Sequence, residues 1–514
     1  MNQDEVIKTI NSIKSKACGH DGISPVVVKS CAESLSGPLT FITNLCFKQG
    51  VFPSSLKVAK VVPLHKAGDK TDVRNKRPIS ILNMFSKIIE KCIVKRLSNY
   101  LEINNILHNN QHGFRKNHST ESAIIQFTKS IHELLESKNC VLAVYIDFSK
   151  AFDCLDHSIL KAKLENIGIR GSALSLICNY LADRSQIVYY NNEQSSPLSI
   201  NHGCVQGSQI GPLLFSIYIN DVINVSRELL LALYADDLNA LKGSKCLYEL
   251  YIAVNNELIK LYKWVLCNGL SINVLKLCHM LFNYNPSYDM QPMELSIGGH
   301  VIPRTSYTKL LGVLLDENLR WNLHVDYVAA KISKLCGIVY TIRKKLNLST
   351  LKIIYNSLMY PLIIYCVSVW GGALATHLRP VVLAQKRAVR AITNSPRYER
   401  TLPLLNANHL LRFHLVYEYF ILLVVYKYLS VSYVSDAFRR VDHGQGTRGV
   451  GCSLALPPFT SRGGQRSILY QAPTLWNRLP HVLKNDLLNV TNILSVKQKL
   501  KTYLFHQQLN EQLN

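Results

Sequence analysis

Leu231-Ala-Leu-Tyr-Ala-Asp236-Asp237-Leu-Asn-Ala-Leu241 places two adjacent carboxylates in the middle of an apolar run that reads strand, acidic turn, strand. Desolvated like charges repel and raise each other's pKa, so such a pair is hard to retain unless a cation neutralises it. A bound divalent metal is the direct remedy. Upstream, Val141-Leu-Ala-Val-Tyr-Ile-Asp147 is a second β-branched run that ends in a carboxylate. Three carboxylates at two strand ends suggest a two-metal centre.

The whole chain agrees with an acidic partner. Among 514 residues, Lys and Arg outnumber Asp and Glu by 58 to 34, a formal charge of +24. A nucleic-acid backbone is the expected counterpart, with ordinary basic solubility as the plainer alternative. The charges are spread along the chain rather than gathered in one tail, which favours a basic channel over a disordered arm. The 14 cysteines form no Cys-x-x-Cys pair, so neither a zinc knuckle nor a disulfide framework is indicated, and reduced intracellular thiols are expected. The first residues carry Asp4 and Glu5 where a secretory signal would carry bases. Ile353 to Leu378 holds no charged side chain, but Asn356, Pro361, Gly371, Gly372 and His377 interrupt it, so a buried helix followed by a turn at Gly371-Gly372 is expected rather than a membrane span. The apolar run Tyr419 to Tyr426 is too short to span, and no membrane partner is expected.

Residues 1–60 read as short helices punctuated at Gly19-His-Asp-Gly22, at Pro25 and at Gly50 with Pro53. Val58 to Lys66 has strand character, with Lys66 at its end, and Met84 to Leu101 has the spacing of an amphipathic helix, as does 119–136. From 141 to 282 strands and helices mix without strict alternation, which predicts an α+β domain rather than a doubly wound sheet. Lys331 to Leu346 and Ser349 to Tyr365 are expected helices, the second broken near Pro361. A Gly-, Ser- and Pro-rich loop over 444–466, with Gly444-Gln-Gly446, Pro457-Pro458 and Gly463-Gly464, is expected to precede a small helical tail.

Nucleotidyl transfer requires divalent ions at the primer 3′-hydroxyl and at the leaving pyrophosphate, and carboxylates from separate strands suit that task. Asp147 and Asp236 are the candidate ligands, with Asp237 completing the cluster; oxygen-only donors fit two Mg²⁺ ions, with Mn²⁺ as a substitute. Taken singly, an Asp-Asp turn also fits a solvated hairpin tip. Asp153 and Asp156 are expected in blander roles, as turn or helix-capping residues before Ser158.

With these residues in place the chain resembles the reverse transcriptases of non-LTR retrotransposons, the jockey-like elements among them. The resemblance covers nearly the whole chain and runs through Arg77-Pro-Ile-Ser80, Gln111-His-Gly-Phe-Arg115, Tyr145-Ile-Asp-Phe-Ser-Lys-Ala-Phe-Asp153, Gly203-Cys-Val-Gln-Gly-Ser208, Tyr234-Ala-Asp-Asp237 and Leu311-Gly-Val-Leu-Leu315. It implies a right-hand polymerase: a helical extension over 1–44, fingers and palm over 45–316, a helical thumb and connection over 317–443, and a loop with a helical tail over 444–514. The implied activity is RNA-directed DNA synthesis from a DNA primer end on an RNA template, using deoxynucleoside triphosphates. An endonuclease in cis or in trans is an implied partner, because such elements usually encode one and nothing before residue 60 is domain-sized; Met1 is then read as an internal methionine of a longer frame. Translation in the cytoplasm and action in the nucleus are implied too.

Residue by residue, the resemblance implies that Lys66 and Arg77 hold the incoming triphosphate, and that an aromatic at Phe152 bars a ribose 2′-hydroxyl. Gln206 and Gly207 would lie along the nucleotide, and Lys276 would donate a proton to pyrophosphate as a catalytic acid. Gln111, Gly113, Phe114, Arg115, Arg184 and Tyr234 would serve template and primer, with Gln186 beside Arg184. For any of these alone, a solvated surface charge or a core aromatic is the competing reading. The chain departs from the pattern at Lys76, His112, Gln209, Leu238 and Leu277. Those departures support the alternative of a catalytically degenerate RNA-binding remnant. A group II intron-type reverse transcriptase with maturase activity is the other alternative, although no intron-binding region is recognisable after 320.

Overall fold

The computed structural model describes residues 1–66, 68–137, 140–283, 293–431, 438–439, 441 and 453–513. Its strands, in chain order, are β1 (Val58–His65), β2 (Lys76–Ile81), β3 (Cys140–Asp147), β4 (Arg184–Tyr190), β5 (Glu193–Gln194), β6 (Leu198–Ile200), β7 (Leu230–Tyr234), β8 (Asp237–Ser244), β9 (Cys278–Phe282), β10 (Leu295–Ile297), β11 (His300–Ile302), β12 (Tyr307–Leu310) and β13 (Val313–Asp316). Four of them form an antiparallel sheet in the order β7-β8-β3-β9. A second sheet follows the order β2-β1-β4-β5, with β6 also paired to β4. Around and after these sheets the chain is helical, which makes the α+β, right-hand architecture.

β3 shows why this sequence folds this way. Its side chains alternate between the two faces of the sheet. Val141, Ala143 and Tyr145 enter one core together with Ile124, Phe127 and Val325, whereas Leu142, Val144 and Ile146 enter another with Leu214, Leu233 and Leu258. Both faces are therefore covered, and the run is apolar throughout. Only the last residue, Asp147, reaches partial exposure. That is the strand end where the carboxylates gather.

Several expected elements appear within a residue or two of their expected limits. The helix Met84–Ile103 and the helix Thr120–Glu136 are present, and Gly50, at φ 70°, ends the helix Ala32–Gln49 in the left-handed conformation that glycine tolerates. This last helix runs through the boundary expected between residues 44 and 45, so the N-terminal extension and the fingers share an element. The helix expected from Lys331 instead begins at Asn322 and runs to Ile342. The expected break near Pro361 falls elsewhere: the helix widens into a π turn at Tyr355–Met359, ahead of the proline's missing N–H, and the chain breaks at Cys366, at φ 50°. Short helices, closed by a turn at Gly371-Gly372, replace the single buried helix. No helix among the described residues is long and apolar enough to cross a membrane. Gly463-Gly464 lies inside a short helix, Arg462–Arg466, rather than in a loop, and Gly444-Gln-Gly446 lies outside the described residues.

Candidate active site

The acidic turn is a two-residue hairpin. Tyr234 pairs with Asp237, leaving Ala235 and Asp236 at the tip. Ala235 sits at φ 54°, which a side-chain-bearing residue adopts only when its surroundings hold it. The hold comes from the loop before the helix Thr120–Glu136. Leu233 donates its N–H to the Asn110 carbonyl and accepts from the His112 N–H, both at 2.9 Å, while Asn110 Nδ2 reaches the Leu231 carbonyl at 2.8 Å. A Cβ on Gly113 would run into the Ala235 nitrogen, so a glycine is required at this approach.

Asp147 and Asp237 are register partners across β3 and β8, which brings the three carboxylates to one sheet end. Burial, followed by the charges of Asp236 and Asp147, pushes the Asp237 carboxyl up to about 6. Asp236 is raised by burial and by Asp147, with Lys276 and Arg77 pulling it back. Lys276 Nζ and Asn273 Nδ2 both donate to one Asp147 oxygen, at 2.8 and 3.0 Å. Among the described residues no three His, Cys, Asp or Glu side chains are grouped as they stand to hold an ion. The donor chemistry nevertheless fits a hard divalent cation, being oxygen-only and mutually repelling, and the Lys276 ammonium supplies the compensating charge at Asp147.

Above the carboxylates opens a cavity of about 660 Å³. Lys66, Arg74, Lys76 and Arg77 line it, together with Phe152, Gln206, Gly207, Asp147, Asp236 and Lys276. Phe152 packs on Phe215 with ring centres 4.8 Å apart and meets the edge of Phe114 at 6.3 Å. Gln206 Nε2 donates to the Asp153 carboxylate at 2.8 Å, and its carbonyl accepts the Ser80 N–H at 2.8 Å. Gly207, at φ 115°, lies against the Ser80 carbonyl where a Cβ would not fit. Asp156 caps the helix His157–Asn166 as expected, while Asp153 has the further task of fixing Gln206. A smaller pocket, of about 220 Å³, is lined by Asp147, Asp237 and Lys276 together with Lys309 and Leu311 at the β12–β13 hairpin.

Half of the template and primer candidates are turned inward. Gln111 is fully buried, and its side-chain oxygen accepts the Gly113 N–H at 2.8 Å. Arg115 clamps the Glu102 carboxylate through Nε and Nη2, at 2.9 and 3.0 Å, and reaches the His108 carbonyl. Arg184 is 2% exposed; it donates to the Tyr180 carbonyl at 3.1 Å and stacks over the Tyr180 ring. None of these three offers its polar head to a strand on the surface, because folding has already engaged or enclosed it. Phe114 is 51% exposed, at φ 56°, and Tyr234 is half-buried beside Asp237, which helps burial raise its hydroxyl pKa.

Two working residues escaped the sequence reading. Asn273 holds Asp147 by side chain and backbone, and its only signal was its place three residues before Lys276. Glu90, on an otherwise amphipathic helix, is fully buried and accepts from Ser86, from the Tyr180 hydroxyl and from the Gln209 N–H, at 2.9, 3.0 and 2.7 Å. It thereby ties down the far end of the loop that carries Gln206 and Gly207.

Residues 65–315 match the family model described as reverse transcriptase (RNA-dependent DNA polymerase). The chain is 29% identical over 410 residues to a probable RNA-directed DNA polymerase from transposon BS of Drosophila melanogaster, covering 77% of this chain and 45% of that protein. It is 28% identical over 411 residues to the RNA-directed DNA polymerase from mobile element jockey of Drosophila funebris, covering 77% and 44%. The chain thus spans less than half the length of these relatives. Among solved structures it is similar to an apo telomerase from Candida tropicalis truncated from its C-terminal domain, at 12% identity and a TM-score of 0.36, covering 55% of this chain and 59% of that one; so low a score carries no argument.

Proposed function

We propose, for a chain whose residues 65–315 form a reverse transcriptase domain of the non-LTR retrotransposon kind, that it extends a DNA primer end along an RNA template by nucleotidyl transfer. The observation that carries this reading is the meeting of Asp147, Asp236 and Asp237 at one sheet end, with Asp147 and Asp236 lining a cavity that Lys66, Arg74, Lys76 and Arg77 also line.

Divalent cations are a general need of reverse transcriptases; held by Asp147 and Asp236, with Asp237 adjoining, two of them would activate the primer 3′-hydroxyl and neutralise the departing pyrophosphate. The remaining work falls to the chain's own side chains. Lys66 contributes a point charge and Arg77 a planar fork to the triphosphate, in the cavity that Asp147 and Asp236 also line. The Phe152 ring, braced by Phe215, occupies the space a ribose 2′-hydroxyl would need, so deoxynucleotides are selected sterically. Gly207 lets backbone approach the nucleotide, with Gln206 held in place by Asp153. Lys276, beside Asp147, carries the proton for the leaving pyrophosphate oxygen. Gly113, Phe114 and Tyr234 flank the template-primer side of the hairpin tip.

The test is primer extension by the purified chain on poly(rA) with oligo(dT), dTTP and Mg²⁺. Template-dependent incorporation is expected; a folded protein that incorporates no more dTTP than a boiled control would refute the reading.

A further inference from the structure

A second cavity, of about 410 Å³, lies away from the carboxylates and shares no lining residue with the one above them. Its volume is in the range of small-ligand sites. Most of its wall comes from the loop 318–321 after β13, the turn 372–377 and the chain over 463–468, and the rest from Thr128, His132, Asn283 and Val369. Those three segments lie outside the residues 65–315 that match the family, whereas Thr128, His132 and Asn283 lie within them.

The chemistry of the lining is one-sided. Arg320, Arg466, His377, Asn318 and Ser467 are among the lining residues, and no described Asp or Glu is. Neither Arg320 nor Arg466 makes an ion pair among the described residues; the Arg466 Nε is satisfied by the Arg462 carbonyl at 2.9 Å. The carboxylates nearby in sequence or contact are committed elsewhere. Asp316 accepts the backbone N–H groups of Asn318, Arg320 and Trp321 at 3.1, 3.0 and 2.8 Å. Glu136 accepts from Thr460 and Ser461. The Asp316 clamp holds Leu319 at φ 52° and Trp321 at φ 65°, a conformation that L side chains rarely adopt and that this loop keeps at the cavity wall.

Two further observations point the same way. The helix Ile468–Arg478 begins at the cavity, with Ser467 as its N-cap and Ile468 in the lining, and no side chain caps it. The unbonded N–H groups of a first helical turn favour a negative group. Trp321 and Leu374 give the cavity apolar wall as well, which suits a ligand with a ring beside its charge.

We propose that this cavity is a binding site for a phosphate monoester carried on a nucleoside, supplied either by a free nucleotide or by the 5′-terminal phosphate of a nucleic-acid strand. Arg320 and Arg466 neutralise the phosphate, the start of the helix Ile468–Arg478 adds backbone donors, and Trp321 borders the nucleoside.

Photolabelling in EDTA, which keeps nucleotide from being held by metal at the carboxylates, tests it on the full chain. One arm uses azidoadenosine 5′-monophosphate, a second uses a short single strand whose 5′-phosphorylated end carries the azido base, and a third uses azidoadenosine without phosphate. Mass mapping should place label on peptides containing 318–321, 372–377 or 463–468 in the first or second arm, at least about tenfold above the third. Label in the first arm identifies a free nucleotide as the source, and label in the second alone identifies a strand end. Inorganic phosphate should compete, and Arg320→Gln with Arg466→Gln should remove the label while leaving the unfolding temperature within a few degrees. If that double variant does not fold, the phosphate-dependent difference in the unaltered protein still decides. Equal labelling by the phosphate-free probe, or no label on these peptides in either phosphate arm, overturns the proposal. Neither result bears on primer extension, so failure here is distinguishable from failure of the polymerase reading.

Discussion

The cavity above Asp147 and the loop 111–115 lie against the same hairpin, yet they use their polar groups in opposite ways. In the cavity Lys66 and Arg77 are exposed, and of the carboxylates Asp147 is held by the Lys276 ammonium and the Asn273 amide while Asp236 makes no ion pair among the described residues. In the loop, Gln111 and Arg115 are consumed by the Gly113 N–H, the Glu102 carboxylate and the His108 carbonyl. One region holds charge ready for something that arrives. The other holds the first in shape. A motif residue can therefore belong to the site through the strained Ala235 turn it supports, without meeting a substrate at all.

This contrast is breakable, and the largest effect is expected on the cavity side. Asp147→Asn should lower the rate of nucleotide incorporation by roughly a thousandfold or more, since it removes a charged group facing the reacting phosphates. Single-turnover kinetics reads this directly, and a loss of tenfold or less would move Asp147 out of the reaction. Next comes Phe152→Val, which opens the space beside Phe215. It should raise ribonucleotide use relative to deoxynucleotide by about 10- to 100-fold, and paired kcat/KM values for dTTP and rUTP would show unchanged discrimination if the ring is only core packing.

On the supporting side the effects should appear as stability. Arg115→Ala leaves Glu102 without its bidentate partner and should cost about 2 to 3 kcal/mol in urea unfolding, with little change in the KM for template. A large template KM effect in a protein of unchanged stability would instead return Arg115 to the nucleic-acid surface. The smallest effect should be a gain. Burial and two neighbouring carboxylates raise Asp237 from an ordinary 3.8 to about 6, so its ionisation penalises the metal-free fold above pH 6 and not below pH 4. Asp237→Asn should therefore stabilise the metal-free protein at pH 7.5 by on the order of 1 to 3 kcal/mol, a gain that shrinks as pH falls through 6 towards 4. Thermal melts across that range check it; a gain that grows towards pH 4 has the wrong sign.

Local pattern made part of this legible. The β-branched run ending at Asp147, the Tyr234 to Asp237 hairpin and the Asp156 cap each depend on residues within a few positions of one another, and each is where the pattern placed it. Burial is different, because it is decided by partners far along the chain. Arg115 reads as a surface cation until the helix Met84–Ile103 brings Glu102 to it, and Glu90 reads as a solvated helix residue until Tyr180 and Gln209 enclose it. The break expected at Pro361 went astray for a related reason. A π turn absorbs the proline's missing donor upstream, and the chain bends instead at Cys366, where Trp370 Nε1 bonds the Tyr365 carbonyl and the Tyr365 hydroxyl bonds Leu311.

The carboxylate end of the central sheet is where the chemistry is expected to take place. The most direct measurement is single-nucleotide incorporation on an RNA template by the unaltered chain and by Asp236→Ala, each shown by melting to be folded. The predicted result is incorporation by the first and a loss of roughly a thousandfold or more in the second. Equal rates in the two would contradict it.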